Sequence, residues 1–216
     1  MPALTLTPDD IGTIYCVGRN YAAHAHELNN PIPTEPVIFT KARSTVCPLA
    51  GDIELPLSLG RCEHETEIAI RLGSNLYQAS DEQVLAAISH YGIGLDLTLR
   101  EKQTELKQNR YPWDLSKSFV NACPLSAMLP FNQQMPLDNI DFSLTINGQV
   151  RQQGNTANML FSAVSLISFL SQRMALMAGD LILTGTPEGV GPLLHHDQLV
   201  LSMNDKTLAE ATIVRQ

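Results

Sequence analysis

The sequence predicts an α+β fold with a β-rich core, and three observations carry that expectation. Ile68, Ile70 and Leu72 alternate with Ala69 and Arg71, and Ile93, Leu95, Leu97 and Leu99 alternate with Gly94, Asp96, Thr98 and Arg100. That is the period of strands buried on one face. Asn147-Gly148 lies between two strand-like runs, where a type I′ turn wants positive φ at both central positions. Strand signals also outnumber helix signals along the chain.

The elements follow in order. Tyr15-Cys16-Val17 is a short apolar run ending at Gly18, and residues 36–39 form another; both are predicted strands. Between them, residues 21–28 are rich in alanine and stop at Asn29-Asn30-Pro31, a helical turn or two closed by a breaker. Prolines at 31, 33, 36, 48 and 56 make the stretch to Pro56 loop-rich. Residues 65–72 form a strand. Ser80-x-x-Gln83 is a capping box ahead of Val84, Leu85, Ala87 and Ile88, which predicts a helix over 80–90. A strand over 93–99 is followed by a polar, helix-prone segment over 101–109 that ends before Pro112. Residues 142–146 and 150–153 flank Asn147-Gly148 as a hairpin. Residues 161–174 read as an apolar helix ending near Gly179. The buried strand 181–183 runs into Gly185-Thr186-Pro187-Glu188-Gly189-Val190-Gly191, a loop whose glycines allow close backbone approach to a ligand. The last thirty or so residues form a second hairpin about Asn204-Asp205.

A chain of 216 residues, 44% hydrophobic and 17% charged, can bury a sizeable core without staples, so one catalytic domain over 1–216 is expected. Its 14 basic and 22 acidic residues give a net charge of −8 with no Lys or Arg run. Such a chain has no electrostatic footprint for a nucleic-acid backbone or an anionic membrane. Residues 1–12 carry Asp9 and Asp10 and lack the basic and apolar regions of a secretory signal. The apolar-rich stretch 161–170 is interrupted by serines and too short to span a bilayer. A cytoplasmic protein is expected. Cys16, Cys47, Cys62 and Cys123 are far apart with no C-x-x-C pair, which suggests buried reduced thiols.

Period two puts Glu65 and Glu67 on one strand face. Carboxylates that close repel unless a cation sits between them, and Asp96, in an apolar segment, is costly to bury alone. The three describe an all-oxygen site for a hard ion such as Mg²⁺ or Mn²⁺. The alternative, a solvated glutamate face with Asp96 capping a turn, is equally compatible with the spacing. His24 and Glu27, three apart on a helical segment, can meet on one face. The carboxylate would hold the imidazole in one tautomer and leave the other nitrogen as a general base. A solvated surface contact is the rival reading, and it covers His26 as well. Lys117, between Ser116 and Ser118, is either a surface lysine or an oxyanion stabiliser.

Taken together and in order, several segments resemble the fumarylacetoacetate hydrolase family over nearly the whole chain. They are Gly18-Arg19-Asn20-Tyr21 with His24 and Glu27, His64-Glu65-Thr66-Glu67, Leu95-Asp96-Leu97-Thr98, Trp113-Asp114-Leu115-Ser116-Lys117-Ser118-Phe119, and Thr184-Gly185-Thr186-Pro187-Glu188-Gly189-Val190-Gly191. The match is to the short, single-domain, acylpyruvase-like branch. The resemblance implies a mixed β-sandwich roll, a homodimer, and one Mg²⁺ or Mn²⁺ on Glu65, Glu67 and Asp96. It implies a water-activating pair in His24 and Glu27, on a segment that often orders as a lid. Arg19, Tyr21, Lys117 and Thr186 would lie near the ligand, with Lys117 offsetting oxyanion charge and the Gly185-Thr186 backbone holding a substrate carboxylate. Arg100, on the Asp96 face by alternation, is a further candidate for that carboxylate. Ala42-Arg43 stands where the family has a proline after Lys41, and Glu101 where an aspartate is common; both bear on substrate preference.

The expected reaction is hydrolysis of a carbon–carbon bond in a 2,4-dioxo acid, an acylpyruvate such as fumarylpyruvate or acetylpyruvate, in the breakdown of aromatic compounds or clearing of diketo acids. His24 would activate the water and Lys117 would stabilise the tetrahedral oxyanion. The alternative on the same metal site is an oxaloacetate decarboxylase or an oxaloacetate keto–enol tautomerase. A carboxylate-binding module without turnover is the rival from another class, and it would have no use for the His24–Glu27 pair.

Overall fold

A computed structural model describes residues 3–28 and 30–216. Met1, Pro2 and Asn29 lie outside them, and with them the first residues of the N-terminal segment and part of the breaker read at 29–31. The strand Thr66–Leu72 runs through the middle of an eight-stranded sheet. On one side it pairs antiparallel with Leu181–Leu183, which is followed by a parallel partner, Ile14–Gly18, and then by Val37–Lys41. On the other side lie Ile88–Leu95, then Cys123–Leu125 and Val46–Pro48. The alternation read in the sequence sorts the central strand between two apolar clusters. Ile68, Ile70 and Leu72 join one, and Ala69 joins Ile14, Cys16, Leu125 and Leu183 in the other. The first cluster extends to Phe142, Leu144, Ile146, Leu199 and Leu201 of a five-stranded sheet. Each fully buried side chain of this kind contributes about 1.5–3 kcal/mol. The result is the strand-rich α+β fold expected.

A smaller sheet of Gly191–Pro192, Cys62–His64 and Thr98–Leu99 positions the site. The chain passes between it and the large sheet at Glu65, which separates Cys62–His64 from Thr66–Leu72. It passes again at Asp96, just after Ile88–Leu95. The Asp96 N–H donates to the Glu65 carbonyl at 2.8 Å and stitches the two crossings together. The single strand expected over 93–99 is therefore two strands in different sheets. Arg100 is not on a shared strand face with Asp96; it opens the helix Arg100–Gln108.

Other boundaries also moved. Ser80 caps its helix as expected, its hydroxyl accepting the Gln83 N–H, but the helix Asp81–Ala87 stops early. Ile88, Ser89 and His90 instead begin a strand, because sheet pairing of Leu72 with Ile88 and Arg71 with His90 overrides the local helical pattern. The stretch to Pro56 holds the strands Val46–Pro48 and Gly51–Leu55. Pro48 is tolerated because its strand ends the large sheet and has a neighbour on one side only. The apolar helix is Ala163–Ser171, capped by Ser162. Both hairpins turn where expected, with positive φ at Asn147 and Gly148 and at Asn204 and Asp205. A bulge in the first leaves Arg151 without a ladder partner, and buried Gln152 faces Leu144. The four cysteines are free thiols, and no helix among the described residues is long and apolar enough to cross a membrane.

Gly94 pairs with Glu67, and a Cβ there would lie 2.9 Å from Leu183 Cδ2 and 3.0 Å from Leu125 Cδ2. Gly94→Val is expected to destabilise the fold by roughly 1–3 kcal/mol through overpacking. A chemical-denaturation midpoint equal to wild type would refute this account of the glycine.

Candidate active site

Glu65, Glu67 and Asp96 are buried, and each offers an oxygen within 4.8 Å of the others. Such a group needs cations, and Lys117, Lys41 and Arg100 supply them. Lys117, at the end of the short helix Asp114–Lys117 and 1% exposed, donates to Glu65 Oε2 at 2.7 Å, Asp96 Oδ2 at 2.5 Å and Thr98 Oγ1 at 2.6 Å. Those bonds use all three ammonium protons. Lys41 donates to Asp96 Oδ1 at 2.7 Å and to the Leu97 carbonyl. Burial works against the charge on Lys117, but Asp96 and Glu65 outweigh it and raise its pKa. Burial likewise opposes charge on Glu65, yet Lys117 and Arg100 hold its carboxyl well below the usual range.

Glu67 differs. Burial, then Asp96 and Glu65, push its carboxyl well above the usual range, and it makes no ion pair among the described residues. Its Oε2 accepts the Gly185 N–H at 2.6 Å. Gly185 has φ +95°, and a Cβ there would lie 2.6 Å from that of Asn20, so a side chain is excluded at this approach. One buried carboxylate without a counter-charge, in an all-oxygen donor set, fits a hard divalent cation.

A narrow cavity opens onto the triad. His24, Arg19 and Thr186 line it, together with Lys117 and the helix residues Arg100, Gln103 and Lys107, with Trp113 in the wall. Arg19, at φ 60°, turns the chain from its strand towards the helix Ala22–Glu27. On that helix His24 Nδ1 lies 3.1 Å from Glu27 Oε2, so the carboxylate fixes Nδ1 as the protonated nitrogen and leaves the Nε2 lone pair free to act. Glu27 Oε1 accepts the Gly189 N–H at 3.0 Å, tying this helix to the glycine loop.

Arg100 gives Nε to Glu63 at 2.6 Å, Nη2 to Glu65 at 2.5 Å and Nη1 to Gln103 at 2.7 Å. Burial opposes its charge, but Glu65 and Glu63 outweigh burial and raise its pKa. Two of its five N–H groups stay uncommitted among the described residues. Tyr21 is placed elsewhere. It is buried in the main core cluster, bridges to Met159 and packs edge-on to Phe142. Neither it nor Gly185 is among the residues lining the cavity.

Gln152 ties these parts together. Its Oε1 accepts from Thr66 N at 3.0 Å and faces His64 Nδ1 at 2.9 Å, while its Nε2 donates to the Pro187 carbonyl at 3.0 Å and Thr186 Oγ1 at 2.8 Å. An N–H can only donate and a carbonyl can only accept, so Thr66 and Pro187 fix the amide orientation. Thr186 is therefore an acceptor from Gln152, and its own proton is free to point into the cavity it lines.

Sequence reasoning did not single out Lys41, Glu63, Gln103, Lys107 or Gln152. A signal existed for two of them: Gln103 and Lys107 lie three and seven residues after Arg100, on one helix face. Lys41 merely closes an apolar strand, and Gln152 is turned inward by a bulge that no residue pattern announces.

The family described as fumarylacetoacetate (FAA) hydrolase C-terminal matches the chain over residues 13–214. An oxaloacetate tautomerase of Escherichia coli (strain K12) is 42% identical over 199 residues, covering 92% of this chain and 91% of that one. A mitochondrial oxaloacetate decarboxylase of Dictyostelium discoideum is 40% identical over 181 residues, 83% of each chain. The fold is similar to the crystal structure of fumarylpyruvate hydrolase from Pseudomonas aeruginosa in complex with Mn²⁺ and pyruvate, with a TM-score of 0.88 and 29% identity over 95% of this chain and 91% of that one.

Glu67 gives the site a pH signature. A carboxyl whose folded pKa is raised above its unfolded value of about 4.3 binds its proton more tightly in the folded state. Without metal, stability is therefore lost as pH rises through that interval. A divalent ion relieves the charge, so the rise in Tm on adding Mn²⁺ is expected to be larger at pH 8 than at pH 5.5. Glu67→Ala should remove most of the calorimetric Mn²⁺ binding. Wild-type affinity in that variant would show that the triad is not the metal site.

Proposed function

We propose that this chain, a member of the fumarylacetoacetate hydrolase family, is a divalent-metal-dependent keto–enol tautomerase of oxaloacetate. The observation that carries this reading is the His24–Glu27 pair on the same cavity as the acidic triad. It is supported by similarity over about nine-tenths of the chain to a protein named as an oxaloacetate tautomerase. That similarity moves the weight away from the acylpyruvate hydrolysis expected from sequence.

Mg²⁺ or Mn²⁺ held by Glu65, Glu67 and Asp96 would act as a Lewis acid on the oxo acid and make the neighbouring C–H more acidic. The rest falls to the protein. His24 Nε2 takes a proton from the carbon beside the oxo group and returns one to the oxo oxygen, and in the reverse direction the same two transfers run backwards. Glu27 holds the ring and offsets the charge of the transient imidazolium. The Thr186 hydroxyl and the spare N–H groups of Arg100, both on residues that line the cavity, would bind and orient a substrate carboxylate. Lys117 plays a different part from the oxyanion donor read in the sequence. With its protons committed to Glu65, Asp96 and Thr98, it is the counter-ion that keeps two carboxylates ionised, and it reaches an oxyanion only by exchanging one of those bonds.

Acylpyruvate hydrolysis is the second reading, favoured by the fold similarity to the fumarylpyruvate hydrolase. It would use the same base on a water molecule. The two readings separate on kcat/KM for oxaloacetate ketonisation against acetylpyruvate and fumarylpyruvate cleavage, with CO₂ release from oxaloacetate followed alongside. Oxaloacetate ketonisation is expected to dominate, and His24→Ala should lower its kcat by roughly 10²-fold or more with metal binding intact. Faster acylpyruvate cleavage would replace the tautomerase reading with the hydrolase one. An unchanged kcat in His24→Ala would remove the histidine from either mechanism.

A further inference from the structure

Four cations line the cavity, and they are not equivalent. Lys117 and Arg100 are ion-paired with Asp96, Glu65 and Glu63. Arg19 and Lys107 also line it, and neither makes an ion pair with a carboxylate among the described residues. Lys107 is nonetheless held in place. Its Nζ donates to Gln103 Oε1 at 3.3 Å and sits 4.8 Å from the centroid of the Trp113 ring, and that ring packs against Phe39 at 5.4 Å. Burial, and then the nearby Arg100 and Arg19, bring its ammonium down to about 8. A divalent ion in the triad would add further positive charge to the same cavity.

A monocarboxylic oxo acid brings one negative charge and a dicarboxylic one brings two. Arg100 and Thr186 are placed for the first carboxylate, and Lys107 lies two turns further along the helix that Arg100 opens. We propose that Lys107, aided by Arg19, binds the second carboxylate of the substrate and is the residue that selects 2-oxo dicarboxylates over 2-oxo monocarboxylates. This inference rests on the oxo-acid reading above and adds the determinant of specificity. Trp113 and Gln103 act as positioning residues, keeping the ammonium at the wall instead of in solvent.

The test uses two matched 2-oxo acids that carry no carboxylate beta to the oxo group and so cannot lose CO₂ through a metal enolate, 2-oxoglutarate and 2-oxopentanoate, which differ by a carboxylate in place of a methyl group. Binding of each to the Mn²⁺-loaded protein is measured by calorimetry for wild type, Lys107→Met and Lys107→Arg. Wild type should bind the dicarboxylate about tenfold or more tightly than the monocarboxylate, the scale of one charge-assisted hydrogen bond. Lys107→Met should lose most of that preference with 2-oxopentanoate affinity unchanged, and Lys107→Arg should retain much of it. Equal weakening of both ligands in Lys107→Met would mean a structural role only and overturn the inference, as would an intact preference. Failure of wild type to bind either ligand would overturn the oxo-acid reading, and this inference with it.

Discussion

The ammonium of Lys117, buried among carboxylates, is the interaction on which the rest of the site depends. Glu65 and Asp96 are held at the places where the chain changes sheets, and Lys117 spans both crossings with a third bond to Thr98. Removing one partner of such a buried cluster leaves an uncompensated charge, at a typical cost of about 3–5 kcal/mol. The sheet crossings and the ion cluster are thus one feature. The helix that carries Arg100 starts directly after Thr98–Leu99, so the cations on its inner face inherit their position from the same crossing.

A second layer of fixed hydrogen bonds sets directions where the ion cluster sets charge. Asn20 donates to the carbonyls of Thr184 and Phe161 and accepts the Phe161 N–H, so the loop after Leu181–Leu183 is tied to the start of the segment that bears His24. Gln152 uses every donor and acceptor of its amide, on Thr66 of the strand of Glu67, on His64 of the small sheet and on the loop of Thr186. His24 and the Thr186 hydroxyl are therefore held against a common frame, the fixed geometry that the proposed proton transfer would need.

Much of this was legible in the sequence, for identifiable reasons. Glu65 and Glu67 were readable because period two and an apolar strand leave few places for two glutamates, and His24 and Glu27 because helical spacing limits which side chains meet. The failures share a cause as well. The local pattern puts His90 in a helix and Arg100 on a strand because it knows nothing of the partner strand; the pairing of 66–72 with 88–95 decides the first and the exit at Asp96 the second. The role of Lys117 as counter-ion could not be read from Ser116-Lys117-Ser118, since the carboxylates it serves lie 52 and 21 residues away. Gln152 depends on a bulge, and Lys107 on a helix face whose meaning appears only when Arg19 is brought opposite.

The distances along the chain between these partners also govern the order in which the protein assembles. Asn20 meets Thr184 across 164 residues and Glu67 meets Gly185 across 118, so the acidic pocket is closed by backbone that arrives late in synthesis. Contacts of such sequence separation form slowly, because the chain entropy lost in closing the loop comes before the contact energy. At about 5–20 residues per second the ribosome needs about 6 to 24 seconds to deliver the loop after the first carboxylates. Small zinc domains fold around their ion; here the pocket of Glu65, Glu67 and Asp96 is complete only once the Gly185 backbone has reached Glu67.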